Sequence, residues 1–266
     1  MPLEVRAGHR SFWQSFGEGA RPALAIHCSL AHSGVWAGVG GRLAERIRMT
    51  AFDLPGHGQS ADWAESGDYL RDSVGIASTF VDGTVDLIGH SFGAVVALRL
   101  AIDRPDVIRT LTLVEPVLFA AARRLPEWDM HAEEMADFDR AMAAGAAEDA
   151  AAAFTRVWGT GVDWRDMNAA GRADITRRIG LIAAGHPALF DDSGGILRPG
   201  AIEALEMPVL LIRGDRSPRI IARIADEIAA RLPDVGVATV PGAGHMVPIT
   251  HPDETAGLIG VNLDRG

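Results

Sequence analysis

The sequence predicts an α/β protein: an eight-stranded, mostly parallel sheet with helices on both faces and an inserted helical cap. Short apolar runs, typical of buried strands, alternate with stretches of helical periodicity along most of the chain. The alternation stops between about residues 117 and 200, where helical patterns follow one another without a strand. A chain of 266 residues that is 48% hydrophobic is also long enough to bury the core of such a sheet.

Eight segments have the length and apolar character of strands, and five segments between them have helical periodicity. The predicted strands are LEVRA (3–7), SFWQSF (11–16), ALAIHC (23–28), MTAFD (49–53), VDLIG (85–89), LTLVE (111–115), VLLIR (209–213) and GVATV (236–240). The predicted helices span 34–48, 69–82, 92–103, 218–231 and 252–263. The clearest of these helices is 218–231, because Pro233 follows just past its end.

The stretch without strands divides the chain into two parts. Residues 1–116 and 201–266 are expected to form the α/β core, and 117–200 the helical cap. The Ala-rich segment AMAAGAAEDAAAAFTRVW within the cap has high helix propensity. Phe154 and Trp158 lie four residues apart in it and so on one helix face, which indicates an ordered lid rather than a linker.

Charge and cysteine content limit the classes of partner. A net charge of −10 repels phosphate backbones and anionic lipid, so we expect neither a nucleic-acid nor a membrane partner. Cys28 is the single cysteine, which excludes an intramolecular disulfide and a cysteine-based zinc site. Glu4 and Arg6 interrupt any apolar core of a signal peptide, and no run approaches the ~18 apolar residues of a membrane helix. We expect a cytoplasmic protein.

The sequence contains no complete cofactor motif. The glycine-rich GVGG at 38–41 does not follow a strand and lacks the third glycine of a dinucleotide-binding loop. We therefore expect no cofactor and no metal, a small molecule as substrate, and a monomer or homodimer.

The stretch DLIGHSFGAVVALRLA (86–101) carries the strongest chemical signal: an apolar strand, then Gly-His-Ser-Phe-Gly, then a helix. This is the G-x-S-x-G pattern in the strand–turn–helix context that a nucleophile elbow requires. The turn is so tight that Gly89 and Gly93 must lack side chains, and it projects the Ser91 hydroxyl outward. An ordinary glycine-rich loop is the alternative, and the flanking strand and helix disfavour it.

A serine hydroxyl is a poor nucleophile at neutral pH and needs a base to take its proton. His245, in the loop VPGAGHMVPITHP (240–252) after the last predicted strand, is the predicted base. The oxyanion of the transition state needs two N–H donors. We predict the amides of Phe92, at the start of the elbow helix, and of Ser29 in HCSLAHSGVW; the neighbouring Leu30 is the alternative to Ser29.

Four motifs, HCSLAHSGVW, FDLPGHGQS, GHSFG and PGAGHMVP, in this order and spacing, resemble the α/β-hydrolase fold superfamily. The resemblance covers nearly the whole chain. It implies that 117–200 covers the active site, that Ser91 is the nucleophile and that His245 is the base. Cys28 departs from the pattern, because the family often has glycine after the histidine at the end of that strand.

The acid of the triad is the second departure. Many members place it as Gly-x-x-Asp after the penultimate strand, a position that here falls on Ser217, which cannot orient an imidazolium as a carboxylate does. Another family arrangement, seen in haloalkane dehalogenases, places the acid after the strand that follows the elbow helix. Glu115 lies there, and a carboxylate next to a buried strand is costly without a partner. We predict Glu115 as the acid and Asp215 as the alternative. The other interpretations are a solvated or cap-contacting Glu115 and a local contact of Asp215 with Arg216 or Arg219.

The types of the candidate site residues also limit the classes of reaction that the protein could catalyse. Ser91 in place of aspartate argues against epoxide hydrolase and haloalkane dehalogenase chemistry, which need a carboxylate nucleophile. Acyl transfer to water is the simplest alternative, on an ester, thioester or lactone with a small or medium, mainly apolar acyl group, as in carboxylesterases and lactonases. The residues predicted to line the pocket are Leu30, His90, Trp128, Phe138, Trp158 and Met246. For His90, which lies inside the elbow, a structural role is the favoured alternative.

Two other classes of function are compatible with the sequence. One is different chemistry on the same scaffold: hydrolysis of a carbon–carbon bond, a haloperoxidase-like reaction or a lyase reaction. The other is a non-enzymatic ligand sensor, which the missing Gly-x-x-Asp acid favours. Fold alone does not decide between them.

Overall fold

Eight strands form one sheet in the computed structural model, which describes residues 2–64 and 67–266. The strands are β1 (Leu3–Arg6), β2 (His9–Phe16), β3 (Arg21–Ile26), β4 (Ile47–Phe52), β5 (Val85–His90), β6 (Ile108–Val114), β7 (Val209–Gly214) and β8 (Val235–Val240). Their spatial order is β1-β2-β4-β3-β5-β6-β7-β8; β2 is antiparallel to β1 and β4, and all other neighbours are parallel. The predicted eight-stranded, mostly parallel sheet is confirmed.

Ten helices accompany the sheet in the part of the chain that the structure describes. They are α1 (Ala37–Arg42), α2 (Tyr69–Ser78), α3 (Phe92–Asp103), α4 (Pro126–Ala143), α5 (Ala147–Trp158), α6 (Ala169–Arg178), α7 (Leu181–Phe190), α8 (Arg219–Ala229), α9 (Val247–Thr250) and α10 (Pro252–Leu263). None of these described helices is long and apolar enough to cross a membrane.

Helices cover both faces of the sheet because successive strand residues point to opposite sides. Leu24 and Ile26 of β3 belong to the core cluster under α2, α3 and α8, whereas Ala23 and Ala25 belong to the cluster under α1 and α10. Four of the five helices predicted for the core correspond to α2, α3, α8 and α10.

The remaining predicted helix, 34–48, is too long at its C-terminal end. A 3₁₀ turn spans Ser33–Trp36, α1 ends at Arg42, and β4 already begins at Ile47. Three of the six residues of α1 are glycine, so its helix propensity is low. The side chain of Ile47 is fully buried on the sheet, which outweighs continuation of the helix.

The segment 117–200, all of which the structure describes, consists of helices joined by turns and loops, and it contains no strand. It contains the 3₁₀ turns Phe119–Ala122 and Trp164–Asp166 and the helices α4 to α7. Helices α4 and α5 pack against each other, with the centroids of the Phe138 and Phe154 rings 5.6 Å apart between them. The Ala-rich stretch, residues 141–158, is thus divided between two helices: it contains the end of α4, a turn in which Gly145 has φ 70°, and the whole of α5.

The elbow between β5 and α3 depends on the absence of side chains at two positions. A Cβ at Gly89 would lie 2.3 Å from the carbonyl oxygen of Gly93, and a Cβ at Gly93 would lie 2.3 Å from the carbonyl oxygen of Ile26. Both distances are far below van der Waals contact with backbone atoms, which cannot move without shifting β3 or α3.

We expect Gly93→Ala to lower the free energy of unfolding by about 1–3 kcal/mol, because the new methyl group overlaps the β3 backbone. Urea denaturation measures the change. The matched control is Gly257→Ala in α10, an exposed helical glycine with open space around it, which should stabilise the protein by ~0.5–1 kcal/mol. Equal effects of the two substitutions would contradict the steric account of the elbow.

Candidate active site

Ser91 occupies the corner of the elbow, between the end of β5 and the start of α3. Its backbone has φ 57° and ψ −119°, a conformation that L-residues rarely adopt. Three backbone hydrogen bonds hold it: the Ser91 amide donates to Val114 O (2.9 Å), and the amides of Ala94 (3.0 Å) and Val95 (3.3 Å) donate to Ser91 O. The strained corner directs the Ser91 side chain into a cavity under the cap.

Ser91, His245 and Glu115 form a continuous hydrogen-bonded chain. Ser91 Oγ lies 2.9 Å from His245 Nε2, and His245 Nδ1 lies 2.9 Å from Glu115 Oε2. All three side chains are buried. With Nδ1–H donating to the carboxylate, Nε2 is left to accept the serine proton, which is the arrangement that general-base activation requires.

Glu115 also has a second set of donors. Its other oxygen, Oε1, accepts from the Gly214 amide (2.6 Å) and from the Ser217 hydroxyl (2.8 Å). Ser217, at the position where the family resemblance places the acid, thus donates to the carboxylate of Glu115, which follows the neighbouring strand β6. The carboxylate is fully buried, as a group with three donors can be.

Asp215, the alternative acid, points elsewhere. Its Oδ1 accepts from the Gly242 amide (2.7 Å), which ties the turn after β7 to the turn after β8. Among the described residues, neither the His245 ring nor the Arg216 side chain lies within hydrogen-bond or ion-pair distance of Asp215. The structure brings Glu115, and not Asp215, to His245.

Burial sets the charge states of the two ionisable partners. It lowers the pKa of His245, so the imidazole is neutral at neutral pH and able to accept a proton. Burial also raises the pKa of the Glu115 carboxyl, while the Gly214 and Ser217 hydrogen bonds and the charge of Arg213 act in the opposite direction. The donors around Glu115 therefore decide how much of it is ionised and able to stabilise an imidazolium on His245.

The predicted oxyanion donors lie on the same cavity. Ser29 and Phe92 both line it, and their amides donate to no other group among the described residues. The Leu30 amide is engaged, because it donates to His57 Nε2 (2.9 Å), and Leu30 itself has φ 61°. Of the two candidates in this loop, Ser29 is the one whose N–H is available to an oxyanion.

Two buried histidines fix this loop, a role that the sequence did not predict. His57 accepts from the Leu30 amide and donates through Nδ1 to Pro55 O (3.0 Å). His27 accepts from the Leu54 amide (2.9 Å) and donates through Nδ1 to Cys28 O (2.7 Å). Burial lowers the pKa of both imidazoles to about 3, so both remain neutral acceptors. The signal that could have found them is their paired occurrence in HCSLAHSGVW and FDLPGHGQS.

His90 has a different position from the one predicted. It is fully buried below the elbow, does not line the cavity, and donates through Nε2 to the carbonyl oxygen of His245 (2.9 Å). Burial lowers the pKa of His90 to about 3, so its imidazole is neutral and links the elbow to the backbone of His245. The prediction that His90 and Leu30 belong to the pocket is therefore wrong: one holds the backbone of His245 and the other the oxyanion loop. The other predicted pocket residues, Trp128, Phe138, Trp158 and Met246, do line the cavity.

The cavity has a volume of about 700 Å³ and lies between the sheet edge and the cap. Most of its lining is apolar: Val117, Phe119, Trp128, Ala132, Met135, Phe138, Met142, Phe154, Trp158, Ile182, Ala183, Gly185, Pro187, Leu189, Phe190 and Met246. Cys28 also reaches it, but burial raises the pKa of its thiol to about 12, so it is no rival nucleophile. No cluster of three potential metal ligands occurs in residues 2–64 and 67–266.

A sequence model of the alpha/beta hydrolase family matches residues 23–258. The chain is similar to two proteins named pimeloyl-[acyl-carrier protein] methyl ester esterase. The one from Nitrosomonas europaea is 28% identical over 233 residues, which cover 86% of this chain and 90% of the relative. The one from Methylococcus capsulatus is 29% identical over 259 residues, which cover 93% of this chain and 96% of the relative.

Among solved structures, an alpha/beta hydrolase from Sphaerobacter thermophilus superposes with a TM-score of 0.72. The superposition covers 96% of this chain and 97% of that one at 20% sequence identity. At this identity the likeness concerns the fold alone.

The choice between the two carboxylates gives a first kinetic prediction. Glu115→Gln should lower kcat/KM for an ester by about 10³-fold or more, because the neutral amide cannot stabilise the imidazolium on His245. Asp215→Asn, the matched control, should retain activity near that of the wild type, since Asp215 contacts the Gly242 amide and not His245. The opposite ranking of the two variants would show that Asp215 is the acid.

The hydroxyl of Ser217 gives a prediction of pH dependence. Removing it in Ser217→Ala takes away one group that lowers the pKa of Glu115, so that pKa rises further and the carboxylate ionises only at higher pH. Because the reaction needs ionised Glu115, the acid limb of the kcat/KM profile should move to higher pH. Ser217→Thr keeps a hydroxyl and should leave the limb in place; an unmoved limb in Ser217→Ala would contradict the prediction.

Proposed function

The chain belongs to the alpha/beta hydrolase family, as its motifs predicted, and we propose that it is a serine hydrolase that cleaves esters of a small or medium, mainly apolar acyl group. The observation that carries the proposal is the hydrogen-bonded chain Ser91–His245–Glu115 opening into an apolar cavity. Such a chain supplies an activated nucleophile, and such a cavity binds an alkyl or aryl acyl group by burial of apolar surface.

In the first half of the reaction, Ser91 Oγ attacks the ester carbonyl carbon while His245 Nε2 takes the serine proton. The negative charge develops on the carbonyl oxygen, and the N–H groups of Ser29 and Phe92 stabilise it. Glu115 stabilises the imidazolium that forms on His245. As the tetrahedral intermediate collapses, the bond to the alcohol oxygen breaks, and His245 returns its proton to the leaving alkoxide.

In the second half, water replaces the alcohol. His245 takes a proton from the water as its oxygen attacks the acyl-enzyme carbonyl, and the same two amides stabilise the second oxyanion. The bond to Ser91 Oγ then breaks, and His245 returns the proton to the serine. The products are the alcohol and the carboxylic acid, and the free serine is regenerated.

The relatives support an ester rather than another acyl compound. Both named relatives act on a methyl ester, according to their names, and align over most of their length with this chain. The described lining of the cavity contains no arginine, and the chain has no lysine, which favours an uncharged acyl group over one that ends in a carboxylate.

We propose that the substrate is a small-molecule ester and that the protein acts in the cytoplasm. The buried free thiol of Cys28 suits a reducing compartment.

The sensor hypothesis loses its support. It rested on the absence of an acid at the usual position, and Glu115 lies within hydrogen-bond distance of His245 instead. For the other reactions considered on this scaffold, none of the described cavity residues favours one of them over ester hydrolysis, whereas the names of the relatives favour an ester.

A panel of p-nitrophenyl esters from acetate to decanoate tests the proposal. We expect turnover with an optimum at short or medium chain length, loss of activity by at least about 10³-fold in Ser91→Ala, and labelling of Ser91 by a fluorophosphonate. Ser193→Ala, which removes an exposed serine hydroxyl away from the cavity, is the control and should leave turnover and labelling intact. No turnover of any ester together with no labelling of Ser91 would refute the proposal.

A further inference from the structure

One buried polar side chain on the cavity has no partner among the described residues. His131 of α4 is about 95% buried, and its Nδ1 is completely covered without a hydrogen bond to any of them. The nearest acidic oxygen, Oε2 of Glu134, is 3.9 Å away, beyond hydrogen-bond distance. A buried imidazole without a partner is uncommon in proteins, because the loss of its hydrogen bonds to water is not compensated.

Aromatic rings hold His131 in place. Its ring stacks on Phe119, with the centroids 4.6 Å apart and the planes 13° apart, and it meets Trp158 edge to face at 5.5 Å. The imidazole is thus fixed on the cavity wall. Nε2 makes no hydrogen bond to the described residues either, and it is not covered as Nδ1 is.

The position of His131 relative to the reaction centre follows from Trp158. The Trp158 ring lies 4.6 Å from the His245 ring and 5.5 Å from the His131 ring. His131 is therefore on the same cavity wall as the catalytic histidine and separated from it by the Trp158 ring.

A ligand group that binds the His131 imidazole has to be uncharged. Burial lowers the pKa of His131 to about 4, so the imidazole is neutral at neutral pH and gives no charge to pair with a carboxylate. No arginine lines the described part of the cavity, and Asp139 at its edge is acidic. A hydroxyl group fits best, because it both donates and accepts and so matches Nε2 in either tautomer.

We propose that the cavity binds acyl groups that carry a hydroxyl distal to the scissile carbonyl, and that His131 is the specificity-determining residue that binds this hydroxyl. The inference rests on the proposed ester hydrolysis and adds a substrate class to it: esters of hydroxy acids with an otherwise apolar chain. Along the buried wall of the cavity a hydroxyl would lie among apolar side chains, where it lowers binding, whereas beside His131 it finds a partner. The other ionisable side chains of the lining away from Ser91, those of Asp139 and His186, are exposed.

The test compares two series of p-nitrophenyl esters, those of the C6 to C12 alkanoic acids and those of the ω-hydroxyalkanoic acids of the same lengths. Shorter chains are left out because their ω-hydroxy esters cyclise. The measured quantity is the ratio of kcat/KM for the hydroxy ester to kcat/KM for the plain ester at each chain length. In the wild type we expect this ratio to lie well below one at most lengths and to rise about tenfold or more at the length that brings the hydroxyl to His131.

Substitution assigns that rise to one residue. His131→Phe keeps a flat ring against Phe119 but removes both nitrogens, so the peak in the ratio should disappear; His131→Gln, which can still donate and accept, should retain part of it. Phe138→Leu, on the same helix and the same cavity, changes the volume alone and should alter both esters by a similar factor, leaving the peak.

The outcomes separate the two proposals. A ratio without a peak in the wild type, or a peak that survives in His131→Phe, overturns this inference while hydrolysis of the plain esters upholds the proposed function. Failure to hydrolyse any plain ester, with no labelling of Ser91, refutes both. Because the wild-type ratios stand by themselves, poor folding of a variant does not remove the test.

Discussion

A single buried carboxylate, that of Glu115, determines how the groups of the site are arranged. It accepts hydrogen bonds from the Gly214 amide, the Ser217 hydroxyl and His245 Nδ1, which come from two different turns of the sheet edge. Leaving a buried polar group of this kind without one of its hydrogen-bond partners typically costs about 1–3 kcal/mol, because its lost contacts with water are not compensated. The turns after β6, β7 and β8 therefore have to stay together for the carboxylate to remain buried, and His245 is oriented by the same constraint.

The core and the cap have separate roles. The core supplies every group that would move a proton or stabilise charge, because the carboxyl ends of parallel strands bring β5, β6, β7 and the loop after β8 to one edge. Neutral buried histidines connect these loops: His57 accepts from the Leu30 amide and donates to Pro55 O, and His90 donates to the carbonyl oxygen of His245. The cap supplies the apolar wall of the cavity and, in His131, a polar group without a partner among the described side chains. On the proposed function, the groups that carry the reaction and most of the cavity wall therefore come from different segments of the chain.

The sequence by itself determined the features that a local backbone requirement encodes. The elbow at Ser91 needs Gly89 and Gly93 next to it, and the loop of small residues before His245 follows the last strand, so both can be found from short motifs. The alternation of strands and helices predicts the sheet and the segment without strands for the same reason. These patterns span only a few residues and can be recognised in the sequence alone, although the lack of space for a side chain at Gly93 comes from the packing of β3.

Only the tertiary structure decided which side chains meet. Glu115 and Asp215 each follow a buried strand, and the sequence favours Glu115 only through a family arrangement that it resembles; the register of β6 against β7 brings Glu115 to His245 and leaves Asp215 facing Gly242. The same holds for His90, which lies next to cavity residues in sequence but faces the protein interior. Contacts between residues 99 to 154 positions apart depend on the packing of whole elements, and no local pattern contains that information.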